Sequence, residues 1–323
     1  MNINRRQFFA GSAAILGALT SGGCNIVAAN KVDAAKSPHS SHRKRSLRFA
    51  HMTDIHLNDE RNAAKGFQAA LAHIHGLDDP PELIVTGGDL IMDSLGTSVE
   101  RAHEQWDLFN TTLKQHCRIP VKHCLGNHDG WGLYLDPDAR HGQVPSMDMA
   151  IERLGLPGRY YSYEVGGWKF IHLDSIRMQT EEKRYLGKLD EAQRDWFARQ
   201  LTSSDEIPVV IISHIPIVSA SVFLYEDIAK ETDLIVSGAC MHLDSGGLLG
   251  MFKDRLNVKL ALSGHMHLID RVDIRQTSFI CDGAVCGSWW QGDYHGFEEG
   301  YGLIDLYDDG SFQHQYVAYN WTV

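Results

Sequence analysis

The sequence predicts an α/β fold, and three observations carry the prediction. Strand-length apolar runs alternate with helical patterns along most of the chain, which implies sheets covered by helices. Within the helical segments the apolar residues recur at three- and four-residue spacing, as in Trp106, Phe109 and Leu113. A chain of 323 residues with 43% hydrophobic and 22% charged content has room for one large domain or two small ones around a substantial core.

In chain order, the apolar run Leu47–Thr53 opens the globular part as a strand, followed by a helix over Asn62–Leu77. A strand at Glu82–Gly87, built on Leu83-Ile84-Val85, precedes a long helix at Thr97–Cys117 and a strand at Val121–Leu125. The segment Gly130 to Gly158 lacks periodicity and is rich in Gly, Pro and Asp, so it reads as a long substrate-facing loop. Strand Trp168–Asp174, helix Asp190–Leu201, strand Pro208–Ser213, helix Ser245–Arg255 and strand Asn257–Ser263 continue the alternation. From Leu268 to Val323 the pattern reads mainly as strands, so the domain is assigned to residues 47–323 with a strand-rich C-terminal part.

The segment before this domain reads differently. Asn4-Arg5-Arg6-Gln7-Phe8-Phe9 is a twin-arginine run, followed by an apolar stretch from Ala10 to Leu19 and a small-residue site at Val27-Ala28-Ala29. That order predicts an export signal over residues 1–29 and a periplasmic or extracellular protein. The apolar stretch is too short for a permanent membrane span. A membrane association would require lipidation of Cys24, where the residue three positions earlier is Ser21 rather than a leucine. Residues 30–46, rich in Ser, His, Arg and Lys, read as a disordered linker. Cleavage after Ala29 leaves Cys117, Cys124, Cys240, Cys281 and Cys286, an odd set with no zinc-ribbon or redox spacing. Cys117 with Cys124 and Cys281 with Cys286 are candidate disulfides, with buried free thiols the alternative.

A formal net charge of -11 argues against nucleic acid as the main partner, because backbone phosphates demand a basic face. It does not exclude a small phosphorylated substrate if bound cations reverse the local potential.

The chemistry concentrates in five blocks: Asp54-Ile55-His56, Gly88-Asp89, Gly126-Asn127-His128-Asp129, Ser213-His214 and Gly264-His265-Met266-His267. Each follows a predicted strand. Asp54 with His56, and His265 with His267, stand two apart, a spacing that lets both side chains reach one ion. A carboxylate such as Asp89 can bridge two ions, and Asn127 adds a neutral amide oxygen. Each block has an ordinary reading taken singly, as a capped turn, a glycine turn or a core histidine. Most of the 18 histidines take that ordinary reading; His123 and His172 lie in predicted strands, where they could support the ligands. Trp289-Trp290, with His295 nearby, reads as packing near a turn, with a substrate platform the alternative.

In this order the blocks resemble the calcineurin-like metallophosphoesterase superfamily, over roughly Leu47 to His267 and including Leu173-Asp174-Ser175 and Leu186-Gly187-Lys188-Leu189. The resemblance implies a four-layer α/β/β/α sandwich of two mixed sheets flanked by helices. It implies that Asp54, His56 and His267 hold one metal, that Asn127, His214 and His265 hold the other, and that Asp89 bridges them. The mixed nitrogen and oxygen donors suit two transition-metal ions, divalent or trivalent, among Mn, Fe and Zn. By family precedent a metal-bridging hydroxide attacks a phosphoric ester in line, His128 is the general acid, and Asp129 orients its imidazole. Departures are informative: Asp93 stands four after Asp89 where many members have three, Ser94-Leu95 replaces the Arg-Gly of protein phosphatases, and no tyrosine ligand of the purple acid phosphatase kind can be placed. A phosphomonoester and a phosphodiester both remain open as substrates, and oligomeric state is not encoded legibly. The alternative of a non-catalytic metal-binding exported protein is opposed by the presence of both His128 and Asp129.

Overall fold

The computed structural model describes residues 43–203, 206–224 and 228–322. The elements run β1 (Arg45–Met52), α1 (Ala63–His75), β2 (Leu83–Thr86), α2 (Val99–His116), β3 (Val121–His123), α3 (Asp148–Leu154), β4 (Tyr161–Val165), β5 (Trp168–Leu173), β6 (Ile176–Gln179) and β7 (Arg184–Gly187). They continue with α4 (Glu191–Thr202), β8 (Val209–Ser213), β9 (Ala229–Lys230), β10 (Asp233–Leu234), α5 (Ser245–Phe252), β11 (Val258–Ser263), β12 (Asp270–Ile274), β13 (Thr277–Cys281), β14 (Gly300–Tyr307) and β15 (Phe312–Ala318).

Two mixed sheets dominate. One has the order β15-β14-β1-β2-β3 and the other β12-β13-β11-β8-β5-β4, with β6–β7 and β9–β10 as separate hairpins. At the centre of each sheet the strands are parallel: β1, β2 and β3 in the first, β5, β8, β11 and β13 in the second. Antiparallel β14 and β15, β4 and β12 complete the sheets, and parallel β3 forms the remaining edge of the first.

Strand alternation sorts the side chains into layers. Val210 and Ile212 of β8 join Leu47, Phe49, Leu83, Val85, Phe170 and Leu262 between the two sheets. Val209 and Ile211 of the same strand face the other way, onto Phe197 and Leu201 of α4 and Leu248 and Phe252 of α5. Ala50, Met52 and Ile84 on the outer face of the first sheet meet Phe67 and Leu71 of α1 and Trp106 and Phe109 of α2. The result is the expected helix–sheet–sheet–helix sandwich, since every central strand has two apolar faces to cover. Each fully buried side chain of this size contributes roughly 1.5–3 kcal/mol. Helix starts are fixed locally where the chain allows it. Ser98 accepts from Arg101 N–H at 3.3 Å and Asp190 from Gln193 N–H at 2.8 Å.

Several expectations change. Gly130–Gly158 is not wholly a loop: it contains α3, whose Ala150 is buried beneath α2, and Asn110 Nδ2 donates to the Arg153 carbonyl at 3.0 Å. Seven residues gave too little length for a periodic signal. The strands β4, β6 and β7 lie outside the predicted runs, being short and partly polar. β1 begins at Arg45 and Lys44 N–H donates to Asp308 at 2.9 Å, so the last residues assigned to the linker belong to the sheet. The five cysteines from Cys117 onward are free thiols. The export signal, Cys24 and the rest of the linker lie outside the described residues.

Candidate metal centre

The loops that leave β1, β2, β3, β8 and β11 at their C-terminal ends converge on one cluster, where open parallel sheets place their sites. All seven expected ligand residues meet there, in two groups. In the first, His56 Nε2 lies 3.2 Å from His267 Nε2, and Asp54 Oδ1 lies 3.4 Å from His267 Nε2. In the second, His214 Nε2 lies 3.0 Å from Asn127 Oδ1 and 3.2 Å from His265 Nδ1. Asp89 stands between: its Oδ2 is 3.6 Å from His56 Nε2 and 3.1 Å from His214 Nε2. Its other oxygen, Oδ1, accepts from the His128 N–H at 2.7 Å. Oδ2 is thus the Asp89 oxygen that faces both groups.

The loop backbone is bent to deliver these atoms. Asp54, His56, Asp89, His265 and His267 all have positive φ, between 45° and 69°. For residues with a Cβ this left-handed region costs roughly 1–2 kcal/mol each, and such strain concentrates at functional sites. Gly88 (φ 98°) is required by space as well, because a Cβ there would lie 2.6 Å from His214 Nδ1 and 2.7 Å from Gly126 N.

The donor set fits cations on the orientation of the rings. His214 Nδ1 lies 2.8 Å from the Gly87 carbonyl and His267 Nδ1 2.7 Å from the Gly287 carbonyl. A carbonyl only accepts, so each Nδ1 carries hydrogen and each Nε2 either holds a second proton or gives its lone pair to a metal. At 3.2 Å, His56 Nε2 and His267 Nε2 cannot face each other with bare lone pairs; a proton or a cation must lie between them. With protons alone, the groups part widely. Burial, then the nearby imidazoles, pushes His56 down to about 3 and His265 down to about 4. His214 rises to about 9: burial opposes this, and the Asp89 carboxylate beside it outweighs burial. Burial likewise opposes the charged form of Asp89, yet the His214 and His128 charges hold its carboxyl well below the usual range. Two buried carboxylates and opposed imidazoles are the electrostatics of a site built for positive ions.

Asp129 requires a correction. Its carboxylate does not reach the His128 ring but accepts four backbone amides: Gly126 at 2.8 Å, Asp89 at 3.0 Å, Leu90 at 2.8 Å and Ile91 at 3.4 Å. It locks the β2 and β3 loops together. Burial and then the Asp89 charge push it up to about 7, against those amides. The group that faces His128 is Asp93, whose Oδ1 lies 3.8 Å from Nδ1, a nitrogen with no hydrogen-bond partner. The His128 ring packs edge-on to His56 at 4.7 Å, and its side chain is 27% exposed. Its ring nitrogen also lies within 4.8 Å of ligand atoms of His56 and Asp89.

Other residues around the site take places that the sequence did not assign. Ser175 Oγ accepts the Ile215 amide at 3.0 Å and steadies the His214 loop. Cys286 has its thiol within 4.8 Å of ligand atoms of His56 and His267. The two tryptophans divide: Trp290 is fully buried and its indole N–H donates to the His56 carbonyl at 3.2 Å, whereas half-buried Trp289 lies against the ring of His267. His172 is packed against Tyr161 and Tyr163 of β4 and bonds the Tyr163 hydroxyl, while His123 lies edge-on to Phe109 and bonds Thr86.

Residues 47–268 match the family model described as calcineurin-like phosphoesterase. A 3′,5′-cyclic-nucleotide phosphodiesterase of Nostoc sp. is 23% identical over 280 residues, covering 83% of this chain and 91% of that protein. A dimetal phosphatase from Danio rerio superposes with a TM-score of 0.55 at 14% identity, over 86% of this chain and 100% of the other. A purple acid phosphatase from yellow lupin gives a TM-score of 0.55 at 14% identity, over 84% of this chain and 51% of the other. At these identities the structural likenesses speak for the fold.

Proposed function

Since this chain belongs to the calcineurin-like phosphoesterase family and is a metal-dependent phosphoric ester hydrolase, we propose that it cleaves small phosphodiesters by attack of water, with His128 as the proton donor to the leaving oxygen. The carrying observation is the pair of donor groups astride Asp89 Oδ2, with the partnerless His128 Nδ1 beside them. Asp54, His56 and His267 would hold one ion, Asn127, His214 and His265 the other, with Asp89 shared. When bound, two such ions supply positive charge against the phosphoryl oxygens and lower the pKa of a water. The nitrogen and oxygen donors suit Mn, Fe or Zn.

The chain's own groups do the remaining work. Asp129 fixes the Asp89 loop through its amide contacts, and the His128 amide pins Asp89 Oδ1, leaving Oδ2 inward. As the bond from phosphorus to the leaving oxygen breaks, its electron pair takes a proton from the His128 imidazole. Asp93 Oδ1, 3.8 Å from Nδ1, is the carboxylate that faces that ring. The diester preference draws support from the name of the Nostoc relative, and the export route from the twin-arginine pattern of residues 4–29.

The test compares hydrolysis of bis-p-nitrophenyl phosphate and p-nitrophenyl phosphate by the metal-reconstituted protein, with Asp89→Asn and His128→Ala alongside. Faster turnover of the diester, abolished by Asp89→Asn and lowered by His128→Ala at normal metal content, is the expected result. Loss of metal in His128→Ala would make His128 a ligand, and no turnover with metal bound would leave a binding protein.

A further inference from the structure

We propose that Trp289 is a stacking platform for a planar ring on the leaving-group side of the substrate, so that the natural ester carries a nucleobase or a comparable aromatic group. The inference rests on the hydrolase reading above and names the substrate class of the same site.

Trp289 is not core. Its neighbour Trp290 takes the buried position, and Gly66 of α1 makes room for that indole, since a Cβ there would overlap it. Trp289 is left half-buried beside the His267 and His56 rings, with φ at 49° and its carbonyl accepting from Arg61 Nη1 at 3.3 Å. A bulky residue at positive φ is uncommon and persists only where the surroundings enforce it. Here the turn is tied by Ser288 N–H to the Gly292 carbonyl at 2.8 Å and by Trp290 N–H to the Cys286 carbonyl at 2.8 Å.

The ring's placement gives the direction of the substrate. Trp289 lies 4.5 Å from the His267 ring centroid at 32° and 5.9 Å from His56, and Tyr294 braces it edge-on at 5.5 Å. His56 also contacts His128 edge-on at 4.7 Å. The proton donor and the indole therefore flank the same imidazole. A leaving group that takes its proton from His128 and extends past His56 would reach the Trp289 indole, and Tyr294 with exposed His295 continues that aromatic wall. Stacking of this kind is tolerant of base identity, so the structure assigns a class of ester and not a particular base.

The experiment measures binding of adenosine 5′-monophosphate, ribose 5-phosphate and inorganic phosphate to the metal-loaded protein by calorimetry, with metal content determined for every variant. Adenosine 5′-monophosphate is expected to bind about 5- to 150-fold tighter than ribose 5-phosphate, the ratio that one stacked base supplies. Trp289→Leu should bring the ratio near one while inorganic phosphate binds as before, and Trp289→Phe should keep most of it. An equal affinity for the two sugar phosphates in the wild type overturns the inference. So does a Trp289→Leu variant that weakens all three ligands together or loses metal, because the ring would then only support His267. If the wild type hydrolyses bis-p-nitrophenyl phosphate but shows no base preference, the platform alone fails. If it neither hydrolyses the diester nor binds phosphate, the hydrolase reading fails and takes the platform with it.

Discussion

Gly126→Ala is expected to disable the metal centre without replacing a ligand. An alanine Cβ at this position would fall closer than the 3.0 Å that real Cβ atoms keep to both Asp89 N and Asp89 Oδ1, and 2.8 Å from Asp89 Cγ. Neither neighbour can yield cheaply. Asp89 N–H donates to Asp129 at 3.0 Å and Oδ1 accepts from His128 N–H at 2.7 Å, while Gly126 N–H is itself bound to Asp129 at 2.8 Å. Relief requires the β2 and β3 loops to part by several tenths of an ångström, which withdraws Asp89 Oδ2 from between its imidazoles. Overpacking of this kind costs about 1–3 kcal/mol. For a chain this size that lowers Tm by roughly 2–4 °C per kcal/mol. A displacement near 1 Å in a catalytic array lowers turnover on the order of 10²-fold. The assay is metal content per chain, Tm and kcat on bis-p-nitrophenyl phosphate, with Gly250→Ala on α5 as control, where a Cβ meets nothing within 4 Å. A Gly126→Ala protein that keeps both metals and turns over within threefold of wild type would refute the clearance argument.

Asp129→Ala should release metal and lower Tm, because each buried amide left without an acceptor costs about 1–3 kcal/mol; unchanged metal content with reduced turnover would instead return Asp129 to a direct role on His128. Buried Asp282 bonds His51 Nδ1 and His314 Nε2, each at 2.7 Å, so Asp282→Asn should destabilise by about 3–5 kcal/mol. Burial opposes the charge of Asp282, but His314 and the hydrogen bonds hold it at about 2, and Asp282 in turn raises His314 against burial. The carboxylate's contribution is therefore present above its unfolded value near 3.9 and lost as pH falls toward 2. That of His314 is present below about 6.5 and lost as pH rises through its raised value. The Tm gap between wild type and Asp282→Asn should be widest between about pH 4 and 6.5; a gap that does not vary with pH would contradict this. Chelation should abolish hydrolysis and lower Tm, with Mn or Zn restoring both, since ligands of the folded state stabilise it by mass action. Full activity after exhaustive chelation would remove metals from the reaction.

The candidate ligand residues and their order were legible because each block follows a strand whose signal is local and the blocks together resemble a known family. An apolar run such as Leu83-Ile84-Val85 ends in a glycine turn, and Asp89 comes next. The same locality located α1, α2, α4 and α5. It failed where length was short, as in α3, and where a side chain's partner lies on another loop. Asp129 sits beside His128 in the chain, yet its carboxylate turns to amides about 40 residues away, |i−j| = 40 for Asp89 N. Asp93, out of step with the family spacing, is brought to within 3.8 Å of His128 Nδ1. Nothing in the pair Trp289-Trp290 says which ring is core; Gly66 on α1 and the carbonyl of His56 decide it. Alternation determined that this chain folds as sheets covered by helices, and the five motif blocks with their family resemblance determined which residues were candidates to hold metal. The packing of the two sheets decided which atoms meet, as with His56 and His267, |i−j| = 211, whose nitrogens stand 3.2 Å apart. A contact across that separation is set by loop register and strand packing, which no local pattern of residues contains.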